Sequence, residues 1–190
     1  MLKNESDIIR LIQKDEWMMD LLKAVKSVDL PDWWICAGFV RSKIWDTLLG
    51  FEKRTPLSDI DVIYYDDKNI CEEEEKIMEG KLKDLFPEIP WSVKNEARMH
   101  IRNSVPAYTS SVDAIAKFPE TATALGIKLD SHNNLILSAP HGIQDAINLE
   151  VKPTPYFAVN EKLIEVYEDR VTKKNWELTW SQLKVKHINN

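Results

Sequence analysis

Leu57-Ser58-Asp59-Ile60-Asp61-Val62-Ile63-Tyr64-Tyr65 sets two carboxylates one residue apart in an otherwise apolar run. In an extended strand the side-chain period is two, so Asp59 and Asp61 share one face while Ile60 and Val62 occupy the other. Two negative charges on one face of a core strand are tolerated where a cation binds between them or where the strand end opens to solvent. Upstream, the apolar run Trp33-Trp34-Ile35-Cys36-Ala37 reads as a short buried strand and stops at Gly38. Val40, Ile44, Trp45, Leu48 and Leu49 then recur at helical spacing, and Gly50 closes the segment. Gly38 is therefore expected at a strand-to-helix turn, with the two aspartates on the next strand.

Further out, apolar residues from Ser6 to about Val28 recur at three- and four-residue steps and predict one amphipathic helix capped by Ser6 or Asp7. Residues 72–86 predict another helix with Ile77, Met78, Leu82, Leu85 and Phe86 inward. Its opening run Glu72-Glu73-Glu74-Glu75 reads as a solvated first turn. Trp91 to Ile101 alternates and predicts a strand. Helix, strand, helix, strand, helix, strand implies a mixed or parallel sheet with helices packed on it. Beyond Asn103 two short helical pieces are expected within residues 110–125, separated by Phe118-Pro119, with Ser111 or Asp113 capping the first. A hairpin follows around Asp130-Ser131-His132-Asn133-Asn134, then a helix capped by Asn160, and a tail whose Trp176 and Trp180 pack back. The expected organisation is α+β with an α/β-like core: one domain over residues 1–190, its core at about 1–103 and a small C-terminal extension at about 104–190.

The chain has 190 residues, 44% hydrophobic and 29% charged, a balance that suits one ordered globular domain with a sizeable core. Its 31 acidic against 25 basic residues give a formal charge of −6, which weighs against gripping a long nucleic acid by its phosphates. No separate basic helical domain is legible either. Cys36 and Cys71 have neither metal-site spacing nor the count of a disulfide framework, and a reducing, cytoplasmic setting is expected. An apolar signal core and a run of membrane-spanning length are both missing from these residues.

A glycine turn opening a helix, followed on the next strand by Asp59-Ile60-Asp61, resembles the nucleotidyltransferase superfamily typified by DNA polymerase beta. Four stretches look like a bacterial family of uncharacterised nucleotidyltransferase-like proteins: Ala37-Gly38-Phe39-Val40-Arg41, Asp59-Ile60-Asp61-Val62, Asn95-Glu96-Ala97-Arg98-Met99-His100, and Phe118-Pro119-Glu120-Thr121-Ala122-Thr123-Ala124. The resemblance implies a minimal nucleotidyltransferase fold and metal-dependent transfer of a nucleoside monophosphate from NTP to an acceptor. In that chemistry Mg²⁺ (or Mn²⁺) neutralises the triphosphate and stabilises the departing pyrophosphate, and two or three carboxylates hold it because phosphate and water supply its other oxygens. The resemblance makes Asp59 and Asp61 the catalytic metal ligands and places the third carboxylate on the following strand, where Glu96 is the acidic residue; Asp113 and Asp145 are further candidates. Gly38 lets backbone approach a phosphate, Phe39 follows it in the turn, and Arg41 is positioned to pair phosphate oxygens.

Two features depart from the superfamily pattern. Glycine there is commonly followed by glycine or serine, whereas Phe39 follows Gly38, so the phosphate hydroxyl falls to Ser42 or Ser58. Glu96 serves equally as a surface partner of Lys94 or Arg98, Arg41 as a partner of Asp59 or Asp61, and His100 as an exposed strand histidine. The expected acceptor is a small molecule or a protein side chain. The rival expectations are a nucleotide-binding protein that has lost transfer and an interaction subunit using the Trp-rich tail.

Overall fold

A computed structural model describes residues 2–159 and 161–188. The amphipathic N-terminal segment is two helices, α1 (Glu5–Gln13) and α2 (Glu16–Ser27), where one was expected. Asn4 caps α1 in a reciprocal box with Asp7, and Asp15 breaks the run because its carboxylate accepts from the Met18 amide and so starts α2. Strand β1 (Trp34–Cys36) leads through Ala37 into α3 (Gly38–Leu48), and β2 (Ile60–Tyr64) carries Asp61, whereas Asp59, expected on the same strand, precedes its first residue. Helix α4 (Glu72–Leu85) follows, with Leu82 buried but Ile77 and Leu85 exposed, against expectation.

Strand β3 (Trp91–Asn95) is shorter than its alternating pattern suggests, because α5 (Glu96–Asn103) begins at Glu96. Helix α6 (Ser111–Ala116) takes Ser110 as its cap. The second helical piece expected before Leu125 is instead a set of turns, bridged to the chain at Glu120–Pro153. Strands β4 (Gly126–Leu129) and β5 (Leu135–Ser138) form the expected hairpin. Then come α7 (Gln144–Ile147), β6 (Glu150–Val151), α8 (Pro155–Ala158), α9 (Glu161–Lys174), a 3₁₀ turn at Trp176–Leu178 and β7 (Lys184–Val185), which pairs with β6. The expected cap of α9, Asn160, lies outside the described residues.

The described residues form a five-stranded mixed sheet in the order β3-β2-β1-β4-β5, parallel between β2 and β3 and antiparallel elsewhere. Because β4 and β5 extend this sheet from β1, the sheet does not end near residue 103; the residues beyond it supply two of its strands. Helices α1 to α4 pack on one face over Ile35, Ile60, Val62, Trp91, Val93 and Ile127. The other face carries a smaller cluster of Trp34, Cys36, Ile63, Ile115 and Ala124. Alternation along β2 puts Asp61 on this second face, beside Ile63. No helix among the described residues is long and apolar enough to cross a membrane.

Candidate active site

The antiparallel register pairs Trp34 with Ile63 and Ile35 with Val62; one step further sets Cys36 opposite Asp61. The end of β1, the start of α3 and both aspartates therefore meet at one edge of the second face. Ala37 turns the chain at φ 56°, ψ −118°, a conformation that strains a residue with a side chain. The Val40 and Arg41 amides bond to the Ala37 carbonyl, which leaves the Gly38 and Phe39 amides as the uncommitted donors at the start of α3, beside a cleft of about 370 Å³ lined by Gly38, Ser42, Ser58, Asp59 and Asp61.

Arg41 lies within the protein, stacked on Trp45 and Trp176 with its guanidinium carbon 5.0 Å and 4.5 Å from the ring centres. One nitrogen donates to Thr123 Oγ1 at 3.0 Å, whereas its buried Nε and the buried Ser42 Oγ have no partner. Burial lowers the Arg41 pKa to about 10, opposed chiefly by the negative charge of Glu120. An unpaired buried cation and an unpaired hydroxyl beside a helix N-terminus make a site for an anion. Arg41 forms no ion pair with either aspartate among the described residues.

Asp59 is exposed and accepts from Ser58 Oγ at 3.1 Å. Asp61 is half-buried; burial and then the charge of Asp59 push its pKa up to about 6. By donor chemistry the pair fits a hard divalent cation: two carboxylates lining one cleft, without ion-pair partners among the described residues, Asp59 repelling Asp61 in a partly desolvated site. Among those residues, however, no three His, Cys, Asp or Glu side chains are gathered to hold an ion. Register explains this. Asp61 pairs with Ser92 and Ile63 with Lys94, and β3 ends at Asn95, so Glu96 follows in α5, four residues beyond the level of Asp61 rather than beside it.

Glu96 is buried at the first position of α5, with its carboxyl raised to about 8 by burial and then by Asp61 and Glu75. It meets Asp61 across a second, smaller hollow of about 220 Å³ that also takes in Thr123 and Arg170. The partner of Lys94 and Arg98 is Glu75, which Arg98 grips with two nitrogens at 3.1 Å and 2.8 Å; Glu75 is buried and not part of a solvated run. His100 lies half-buried on α5, its Nδ1 without a partner.

Phe39 is buried against Trp17, 5.9 Å between ring centres, so only its backbone is available to a ligand. Arg170 and Lys174, absent from the expected site, line the cleft from α9; their spacing of four on a helix was the available signal. Arg170 is held by buried Glu120 at 2.6 Å, which gives Phe118-Pro119-Glu120-Thr121-Ala122-Thr123-Ala124 a structural task. Its Glu120 fixes Arg170 and its Thr123 fixes Arg41. Asp113 caps nothing but accepts from Thr109 N and Lys117, and Asp145 binds Thr121 and Lys152, so neither joins the site.

A family model described as nucleotidyltransferase matches residues 23–185. The chain belongs to this nucleotidyltransferase family. A solution structure described as revealing a CCA-adding enzyme head domain is 37% identical, covers 98% of both chains and superposes with a TM-score of 0.87. Two larger proteins share the fold at 14% identity and a TM-score of 0.57: a CCA-adding enzyme in complex with CTP, covering 97% of this chain, and the Thermotoga maritima CCA-adding enzyme with tRNA, covering 98%. The chain spans 43% of the length of each. Comparison with curated proteins returns no match. The nucleotidyltransferase fold thus carries its aspartate pair and its glycine turn to one cleft, with Glu96 set further along.

Proposed function

We propose that this nucleotidyltransferase moves a nucleoside monophosphate from NTP to a small-molecule or protein acceptor, as a single domain dependent on Mg²⁺ or Mn²⁺. The observation that carries the reading is the meeting of Asp59 and Asp61 with the unpaired Arg41 Nε and Ser42 Oγ around one cleft. Similar folds described with CTP and ATP support a nucleotide as the ligand.

The triphosphate lies over the α3 turn, where Gly38 and Phe39 amides, Ser42, Ser58, Arg41 and exposed Lys174 meet its oxygens. Asp59 and Asp61 would hold the cation, which neutralises phosphate charge and polarises the α-phosphate when bound. Arg41, wedged between two indoles, keeps a fixed orientation towards the departing pyrophosphate. Glu96, which shares the second hollow with Asp61, takes the proton of the acceptor hydroxyl. The test is calorimetric titration with MgATP and MgCTP: saturable, metal-dependent binding is expected for the wild type and its loss for Asp61→Asn. Identical binding by the two proteins refutes the reading.

A second reading, nucleotide binding without transfer, is favoured by one observation: Glu96 does not join Asp59 and Asp61 in a three-carboxylate cluster. Pyrophosphate release that depends on an acceptor and on Asp59 rules it out.

A further inference from the structure

We propose that the aromatic cavity beside Glu96 is the acceptor site, and that the acceptor is a small uncharged molecule with a flat ring system and a free hydroxyl. This rests on the nucleotidyl-transfer reading above. Three hollows run in series along the second face. Asp61 borders the first and second, Glu96 the second and third, and Arg170 all three. The third, about 440 Å³, is walled by Tyr108, Phe118, Tyr156 and Phe157, with Met99 and Val166. That volume suits a small ligand.

In-line displacement fixes which end receives the acceptor. Pyrophosphate leaves towards the α3 turn, so the nucleophile reaches the α-phosphorus from the opposite side, where Glu96 and the aromatic cavity lie. The hydroxyl oxygen forms a bond to the α-phosphorus, the bond from that phosphorus to the bridging oxygen of the β-phosphate breaks, and pyrophosphate departs with the electron pair. The hydroxyl proton passes to the Glu96 carboxylate.

Charge decides between a small molecule and the end of a polynucleotide. The cations bordering the cavity are already neutralised: Lys117 binds Asp113 at 2.9 Å and Arg170 binds Glu120 at 2.6 Å. Lys117 also lies over Tyr108 and Tyr156, 5.4 Å and 5.8 Å from their centres, which shields it further. Backbone phosphates need free cations, whereas a flat neutral ring needs the tyrosine faces and displaces water from apolar walls.

The experiment is methyl NMR on the full chain, titrated separately with 2-naphthol, with MgATP and with a short oligoribonucleotide. Saturable 2-naphthol shifts at the Met99, Val105 and Leu163 methyls are expected, weakened at least tenfold by Val166→Trp, which fills the cavity, and by Tyr156→Ala. MgATP should shift the Leu57 methyls in the first cleft and bind together with 2-naphthol. Absence of the 2-naphthol shifts, their indifference to both variants, competition with MgATP, or tighter occupation of the same methyls by the oligoribonucleotide overturns the proposal. If MgATP leaves Leu57 unmoved, the nucleotidyl-transfer reading itself falls; if MgATP binds and 2-naphthol does not, only the acceptor site falls.

Discussion

Asp61 and Arg41 are each placed where the metal-free fold would be better without their charge. Asp61 titrates near 6 in the native state against 3.8 as a free side chain, so the folded protein holds its proton more tightly than the unfolded chain. Its contribution to stability is therefore complete below about pH 4 and is lost as pH rises through 6. A shift of this size corresponds to roughly 3 kcal/mol, reduced to about 1–2 kcal/mol because the carboxylate keeps some solvent. In EDTA at pH 7.5, Asp61→Asn should be more stable than wild type by that amount in thermal unfolding, with the gap closing near pH 4. Mg²⁺ should raise the melting temperature of the wild type and leave the variant unmoved. Arg41 follows the same logic, being buried without a carboxylate partner and with Nε unsatisfied. Arg41→Met keeps the stem between Trp45 and Trp176; it should unfold within about 1 kcal/mol of wild type or later, yet bind MgATP roughly tenfold more weakly or worse.

Asn95 decides where β3 stops. It is buried, its Oδ1 accepts from the Ala97 and Asp66 amides, and its Nδ2 donates to the Asp66 and Asn69 carbonyls. Asn95→Ala removes a helix cap and leaves buried backbone groups unpaired, so a loss of about 3 kcal/mol in urea denaturation is expected, together with displacement of Glu96. The alternation of Trp91 to Ile101 conceals this cap, because the polar residues of α5 fall at positions that also satisfy a period of two. A helix cap and a strand asparagine look alike until the long-range partners Asp66 and Asn69 are present. Asp15 hides the α1–α2 break in the same manner, its anchors Lys43 and Arg54 lying far along the chain. By contrast, the passage from β1 into α3 and the apolar strand that carries Asp61 were legible because both depend on local periodicity. Gly126 belongs with the concealed set: a Cβ there would stand 2.8 Å from Ile115 Cδ1 and 3.1 Å from Cys36 Sγ. Gly126→Ala should cost about 1–3 kcal/mol by forcing α6 away from the sheet, measured by the same denaturation.

The molecule closes its cleft with residues far from the motif. Trp180 donates to Asp46 Oδ1 at 2.8 Å, and Asp46 also receives the Thr55 amide at 2.8 Å and the Thr55 hydroxyl at 2.7 Å. One buried carboxylate on α3 thereby ties the tail to the loop that delivers Ser58 and Asp59. Trp176 and Trp180 both meet Trp45 edge-on, at 6.0 Å and 5.0 Å, and Trp176 forms one side of the slot that holds Arg41. Two terms can be separated here by two substitutions. Trp180→Phe keeps most of the apolar contact and removes one donor from Asp46, which retains Thr55; a loss of about 1 kcal/mol is expected, with MgATP affinity little changed. Trp180→Ala also empties the contact with Trp45 and should cost about 3–5 kcal/mol, the range for a buried aromatic deleted from a packed core. Because the vacated space adjoins both the Thr55 loop and the Arg41 slot, the alanine variant should also bind MgATP several-fold more weakly at temperatures where it remains folded. Calorimetric titration of the two variants beside their unfolding curves checks this coupling; equal nucleotide affinity in both would show that the tail supports the fold without shaping the cleft.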